Sequence, residues 1–207
     1  MRLTILGATG RIGGHLLTWA LDNGHDVRVL ARDPGEMPAH SGLTATRGDA
    51  LDSAAVAEAI DGADAVLSAL GPRGAKSPGL LTEAAANITD AMGKTGAARL
   101  ISVSAAGAFI TADPNMNRLV KVILPRIFAK PFADTRGMED VITRTDLDWT
   151  LVRATRLVNG PLTGQYRVSP DYPPRGGGKI SRADVAHFMA LTLTEGAWIR
   201  SSPALAY

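Results

Sequence analysis

No cysteine occurs in the 207 residues, which removes disulfides, thiol catalysis and cysteine-ligated metals and leaves a reducing compartment open. An excess of one charge is also missing. Twenty-two Lys and Arg stand against 20 Asp and Glu, a formal net charge of +2, well mixed along the chain and giving no case for nucleic acid. The histidines (His15, His25, His40 and His187) are scattered, without the i, i+4 pair that would suggest a metal site. Long apolar runs are lacking as well. The longest, Leu119 to Phe128, is interrupted by Lys121, Pro125 and Arg126 and is far shorter than the ~20 residues a membrane span requires. The chain reads as a strand from its first residues, which is expected to leave no room for a signal peptide. With no linker or internal repeat, one cytoplasmic domain over residues 1–207 is the expectation.

What is present is concentrated at the start. Leu3-Thr4-Ile5-Leu6 runs into Gly7-Ala8-Thr9-Gly10-Arg11-Ile12-Gly13-Gly14, and helical spacing follows through Ile12, Leu16, Trp19 and Ala20. A strand that turns through glycines into a helix leaves backbone N–H groups free at the helix start, where the helix dipole also favours an anion. Gly7 permits the tight turn, Gly10 lets a phosphate approach the backbone, and Gly13 lets helix and strand pack closely. The spacing is G-x-x-G-x-x-G, and no Gly-Lys-Ser/Thr follows, which excludes a Walker A loop. The pattern predicts a dinucleotide site.

Strands and helices then alternate. Strands are expected at Val27–Leu30, Leu43–Thr46, Ala65–Leu70, Arg99–Ser104 and Trp149–Val152, with helices around Val56–Ile60, Leu80–Met92 and Met138–Ile142. Ser181-Arg182-Ala183-Asp184 resembles a capping box before a final helix, and Ala204–Ala206 is expected to close the sheet as an edge strand. Repeated strand–helix units imply an α/β doubly wound parallel sheet. Two segments break the rhythm, near 108–133 and 160–179. Both follow strands, which places them at the carboxyl edge of the sheet as candidate walls of a substrate pocket. The basic, apolar part of the first reads as an amphipathic helix, packed on the body or in a dimer interface. A membrane-surface helix is disfavoured because Pro125 interrupts it.

Strand two ends Leu30-Ala31-Arg32-Asp33. An acidic residue there would hold the ribose of NAD, whereas the planar fork of Arg32 suits a 2′-phosphate, with Arg11 approaching from the other side. NADP(H) is therefore favoured over NAD(H), and Asp33 keeps a turn toward the ribose open.

Gly-Ala-Thr-Gly-Arg-Ile-Gly, Val-Leu-Ala-Arg-Asp, Gly48-Asp49, Asp64-Ala65-Val66, Leu70-Gly71-Pro72-Arg73, Asn87-Ile88 and Leu147-Asp148-Trp149-Thr150 occur in that order. Together they resemble the atypical short-chain dehydrogenase/reductases with an NAD(P)H-binding Rossmann fold, a group that includes NmrA-like proteins. Within it the chain looks most like the biliverdin IXβ reductase/flavin reductase branch. The resemblance implies that Gly7, Thr9, Gly10, Arg11, Ile12 and Gly13 cradle the pyrophosphate and that Arg32 takes the 2′-phosphate. Asp49 and Ala50 would flank the adenine, and Leu70, Gly71 and Arg73 would line the ribose and approach the nicotinamide. Ser102 to Ser104 and Arg153 to Thr155 would face the nicotinamide and substrate.

The chain departs from the wider pattern on the substrate side. Its tyrosines (Tyr166, Tyr172 and Tyr207) lie too late to supply the Tyr-x-x-x-Lys pair of standard members. Arg156 stands where the biliverdin/flavin branch has a histidine, and Ser104 lies one place before the branch's serine position. A flavin, quinone or similar conjugated acceptor needs no such pair, because hydride passes directly between stacked rings. Ser104 is expected to donate a hydrogen bond, and Arg153 or Arg156 to stabilise negative charge on the acceptor unless paired with Asp134 or Glu139. The alternative is a non-catalytic redox sensor of the NmrA type; a sugar-nucleotide epimerase fits poorly, since it needs the missing pair. A small-molecule partner, no membrane, and a monomer or homodimer complete the expectation.

Overall fold

Alternation along the first strand divides the core in two. In β1 (Arg2–Leu6), Leu3 and Ile5 pack into one layer and Leu6 into the other, while the Thr4 hydroxyl donates to the Ala59 carbonyl at 2.6 Å. The computed structural model describes residues 1–71 and 79–207. After β1 come α1 (Arg11–Asp22), β2 (Asp26–Ala31), β3 (Leu43–Arg47), α2 (Ser53–Ile60), β4 (Ala65–Ser68), α3 (Leu80–Thr95) and β5 (Arg99–Ala105). The remainder is α4 (Arg118–Ile127), α5 (Ala129–Thr143), β6 (Asp148–Ala154), β7 (Arg156–Val158), β8 (Arg167–Pro170), β9 (Lys179–Ser181), α6 (Arg182–Glu195) and β10 (Pro203–Ala206).

The eight-stranded sheet runs β3-β2-β1-β4-β5-β6-β10-β8, parallel throughout except for β8. Helices α1 and α6 cover one face, and α2, α3 and α5 the other. This is a doubly wound Rossmann-like α/β fold. Its strand order reverses between β1 and β4, the switch point where such sheets bind ligands. No helix among the described residues is long and apolar enough to cross a membrane.

Three expectations are corrected. Strand β4 stops at Ser68, because its partner β1 ends at Leu6 and turns away through Gly7. Strand β10 is an inner strand, and the edge is β8, which pairs with it antiparallel; Pro170 lies at the rim, where a missing N–H is tolerated. Helix α4 continues through Pro125, which sits near its last turn, and none of its residues is buried against the body.

One helix start is held from outside. Gly79 supplies no side chain to cap α3, and Asp134 of α5 takes over. Its carboxylate accepts from the Leu81 and Thr82 N–H groups, each at 3.0 Å, and from the Thr82 hydroxyl at 2.8 Å.

Candidate active site

The glycine turn has the geometry that close approach demands. Gly7 adopts φ +84°, and a Cβ there would lie 2.7 Å from the Ala69 carbonyl oxygen. A Cβ on Gly13 would sit 2.6 Å from the Gly7 carbonyl carbon and 2.8 Å from Ala8 Cα. Gly10 caps α1 without a side chain, so the first-turn N–H groups meet no competing cap. Over this turn lies a groove of about 250 Å³ at the carboxyl ends of β1 to β4, lined in part by Gly7, Thr9, Arg32, Gly48, Ala50 and Leu70. Ile12 is buried beneath the turn, and a Cβ on Gly71 would meet nothing within 4 Å. Arg73 lies outside the described residues.

The far end of the groove carries Arg32 and Asp33 side by side. Arg32 is exposed and pairs with no carboxylate among the described residues. Asp33 also lines the groove, with its Oδ1 accepting from the Gly35 N–H at 3.2 Å at the start of a short turn over Pro34–Glu36. Asp49 folds the loop after β3 by accepting from the Leu51 N–H at 3.1 Å. Asn87, quoted in the family pattern but given no role, donates to the Ala50 carbonyl at 3.0 Å and fixes that rim.

Arg11 does not share the groove with Arg32. Its guanidinium donates to Asn159 Oδ1 at 3.0 Å, and Arg182 donates to the same oxygen at 2.9 Å. Two cations from two helix starts thus converge on the Asn159 amide oxygen. Sequence reasoning missed Asn159 and Arg182, and the separation of 148 positions between Arg11 and Asn159 explains why.

Beside the groove, at the ends of β5 and β6, opens an apolar pocket of about 460 Å³. Ala105, Ile110, Leu124, Phe128, Phe132 and Leu157 line it together with Ser104, Thr155 and Arg156. Both irregular segments contribute walls, through Met116 and Val120 on one side and Pro173, Gly177 and Gly178 on the other. Arg156 is exposed and lacks a carboxylate partner among the described residues. A separate depression of about 290 Å³ around Arg2, Asp26 and Gly62 sits at the opposite, amino edge of the sheet, away from the glycine turn.

Ser102, Ser104 and Arg153 share the face of the sheet that α5 covers, as their even or matching register requires. Ser102 is buried 3.8 Å from Met138 Sδ and lines neither the groove nor the apolar pocket. Arg153 pairs with Glu139, Nη2 to Oε2 at 2.6 Å and Nε to Oε1 at 3.1 Å. Its guanidinium also lies 3.8 Å from the centroid of the Phe109 ring and donates to the Asp171 carbonyl at 2.9 Å. These bonds replace the outward role expected of Arg153, because a cation on a buried strand face needs a partner there. Ser104 donates its hydroxyl proton to Glu139, which leaves it an acceptor toward the pocket rather than the expected donor. Among the described residues no cluster of three or more His, Asp or Glu is placed to hold a metal.

The loop that closes this side is tied down by Asp184. Its carboxylate accepts from Tyr207 Oη at 2.6 Å, Thr163 Oγ1 at 2.8 Å, Ser181 Oγ at 2.9 Å, and the Thr163 and Gly164 N–H groups, each at 2.9 Å. Ser181 caps α6 by accepting from the Asp184 N–H at 3.0 Å, but the reciprocal bond of the expected box is absent. The Ser181 N–H goes to Tyr207 Oη at 3.1 Å instead. Burial alone would raise the Asp184 pKa, yet the bonds from Tyr207, Gly164 and Thr163 outweigh it and bring the carboxyl down to about 2. Tyr166, by contrast, is pushed up to about 12, first by burial and then by the charges of Asp184 and Glu195, and its hydroxyl contacts His187 Nδ1 at 2.9 Å.

The sign of the Asp184 effect follows. A folded-state pKa below the unfolded value stabilises the fold above about pH 4, and that stability is lost as the pH falls toward 2. Holding the carboxyl at about 2 rather than 3.8 is worth roughly 2 kcal/mol. Asp184→Asn is expected to lower stability at neutral pH by at least about that much and to flatten the loss of stability between pH 4 and 2. Urea unfolding across that range tests it; a variant as stable as the parent at pH 7 overturns the assignment.

A family model described as NAD(P)H-binding matches residues 7–196. A stretch of 65 residues, 31% of the chain, is 40% identical to a 3 beta-hydroxysteroid dehydrogenase/Delta 5→4-isomerase of Mycobacterium tuberculosis, and the match spans 18% of that relative's length. Among solved structures, a short-chain dehydrogenase/reductase from Veillonella parvula in complex with NADP is similar with a TM-score of 0.84 at 21% identity, over 100% of this chain and 94% of that one. ChuY, an anaerobilin reductase from Escherichia coli O157:H7, gives a TM-score of 0.83 at 22% identity, over 100% and 97%. At such identities these two likenesses speak for the fold.

Proposed function

Because the chain belongs to the NAD(P)H-binding family, we propose that it is an NADPH-dependent reductase that transfers hydride to a flavin, quinone or similar conjugated acceptor. The observation that carries this reading is the pairing of two cavities at one sheet edge. A groove floored by the glycine turn adjoins an apolar pocket large enough for a planar ring system, with a cation on its wall. The NADP complex of the Veillonella protein and the reductase activity named for ChuY agree with it.

The residues divide the work. The α1 start and the Gly7–Gly13 turn fit a pyrophosphate, since Gly10 leaves the helix N–H groups uncovered and Gly7 and Gly13 have no room for side chains. Arg32 would take the 2′-phosphate, beside an Asp33 whose Oδ1 is engaged by its own turn. When bound, the nicotinamide supplies a hydride carrying two electrons, and solvent supplies the proton that completes the reduced acceptor. Arg156 would stabilise the negative charge that develops on an acceptor oxygen. Ser104, its proton held by Glu139, would accept an N–H or O–H from a ligand and so position it.

Absorbance at 340 nm with NADPH or NADH, and with FMN, riboflavin and a small quinone as acceptors, tests the reading. NADPH is expected to be oxidised well ahead of NADH. Arg32→Ala should lower kcat/KM for NADPH by about 30- to 100-fold, the loss of charge-assisted hydrogen bonds, and leave NADH within a few-fold. Binding of NADPH without turnover of any acceptor would refute the reductase and leave the cofactor-sensing regulator.

A further inference from the structure

Helix α4 has two apolar sides, and one of them faces nothing. Val120 and Leu124 turn inward and wall the apolar pocket. Leu119, Val122, Ile123 and Ile127 turn outward and are 66%, 51%, 44% and 66% exposed. Four of the chain's large exposed apolar side chains thus gather within nine residues of one helix, whereas isolated ones are ordinary.

The charge around this face indicates what covers it. Arg118, Lys121, Arg126 and Lys130 flank or interrupt the apolar residues, and no acidic residue occurs between Asp113 and Asp134. Arg126 folds back along the helix, donating to the Val122 carbonyl at 2.7 Å. A second copy seated symmetrically on the same face would bring eight cations together with no acidic residue from either copy's 114–133 segment to answer them. An anionic lipid surface answers both features, since it takes the apolar side chains into the acyl boundary and draws each nearby cation to its headgroups. The continuity of α4 through Pro125 removes the ground on which the sequence disfavoured such a helix.

We infer that α4 docks the protein on an anionic lipid bilayer and that the acceptor reduced in the adjoining pocket is a lipid-soluble quinone. The second part rests on the reductase reading; the first does not. Since the same helix forms the pocket wall and the docking face, an acceptor leaving the bilayer would reach the pocket without crossing open water. The reaction balances as hydride from NADPH plus one solvent proton converting the quinone to its quinol.

Co-sedimentation with vesicles of phosphatidylcholine mixed with phosphatidylglycerol, against phosphatidylcholine alone, tests the docking without turnover. Binding is expected to the anionic vesicles and to fall steeply with salt. Arg118→Glu/Arg126→Glu and Ile123→Ser/Ile127→Ser should each reduce it by tenfold or more, at about fivefold per surface cation for the first pair. None of these residues lines the pocket, so reduction of a water-soluble quinone should be unchanged and shows that the variants fold. Vesicle-embedded quinone should be reduced faster than by either double variant. Absence of vesicle binding, equal binding to neutral vesicles, or binding that survives both double variants overturns the docking. So does self-association that Ile123→Ser/Ile127→Ser abolishes, which would assign the face to a second copy. Vesicle binding without reduction of any quinone leaves the docking in place and overturns the quinone assignment; the reductase reading falls with it only if FMN and riboflavin are not reduced either.

Discussion

Gly13→Ala is expected to lose at least about 2 kcal/mol of stability and to weaken NADPH binding by more than tenfold, while Gly14→Ala, one residue on, is neutral or stabilising. The two sites share a helix and a sequence context but differ in what a methyl group would meet. At Gly13 it would lie within 3.0 Å of three backbone atoms of Gly7 and Ala8, none of which can rotate away. At Gly14 the nearest atom is the Ala8 carbonyl oxygen at 3.7 Å, an ordinary contact. Alanine gains up to about 1 kcal/mol over glycine inside a helix, so Gly14→Ala should show that gain. At Gly13 the same gain is outweighed by overpacking, which costs about 1–3 kcal/mol where neighbours can shift and more against fixed backbone. Relief would come from tilting α1 off the turn, and that displaces the N–H groups that would face a phosphate. Urea midpoints and NADPH fluorescence titrations of both variants decide the matter. Equal stability of the two would mean that close helix–turn packing is not what Gly13 provides.

That turn was legible in sequence because everything it needs is local. Strand, glycines and helix lie within about 20 residues, and their spacing carries the geometry directly. The alternation of strands and helices was legible for the same reason, since periods of 2 and 3.6 are read along the chain. What escaped is what depends on distant partners or on a contrary local signal. Strand β8 lies in a stretch punctuated by Pro161, Pro170 and Pro173, which speaks for a loop; only pairing with β10 makes it a strand. The amphipathic period of α4 was visible, but a period says which side is apolar and not what covers it. Arg11 turned toward Asn159 rather than toward Arg32, a choice set by an acceptor far along the chain. A signal for the Ser104–Glu139–Arg153 group did exist. Arg153 stands in a strand that otherwise reads Leu151-Val152, and a cation in such a run implies a buried anion nearby. The sequence reading named Glu139 as one of two possible partners, and distance along the chain hid which one and what the pairing does to Ser104.

Glu139→Ala should therefore be the most damaging single substitution, costing about 3–5 kcal/mol, a large share of the 5–15 kcal/mol typical of a domain. The Arg153 and Glu139 side chains are 11% and 5% exposed, so water cannot replace the lost carboxylate. Three things fail together. The guanidinium loses its counter-charge, Ser104 loses the acceptor that orients it, and the hold of the freed Arg153 on the Asp171 carbonyl weakens. Asp171 sits at φ +63°, a left-handed conformation that a non-glycine residue adopts at a cost, and it leads into the Pro173 wall of the apolar pocket. Damage at Glu139 thus reaches the pocket from both ends. Replacing the pair together, as Glu139→Leu/Arg153→Met, separates stability from function. Removing both charges should recover most of the lost stability, because the penalty comes from an unpaired buried cation and not from the absence of an ion pair. Turnover of the acceptor should stay depressed in the double variant, since neither Leu nor Met can orient Ser104 or hold Asp171. Thermal melts and acceptor kinetics of the single and double variants measure the two effects apart. A single variant that melts within about 1 kcal/mol of the parent would show that the pair is not the keystone of this wall. A double variant with full turnover would show that Ser104 works without its orienting partner.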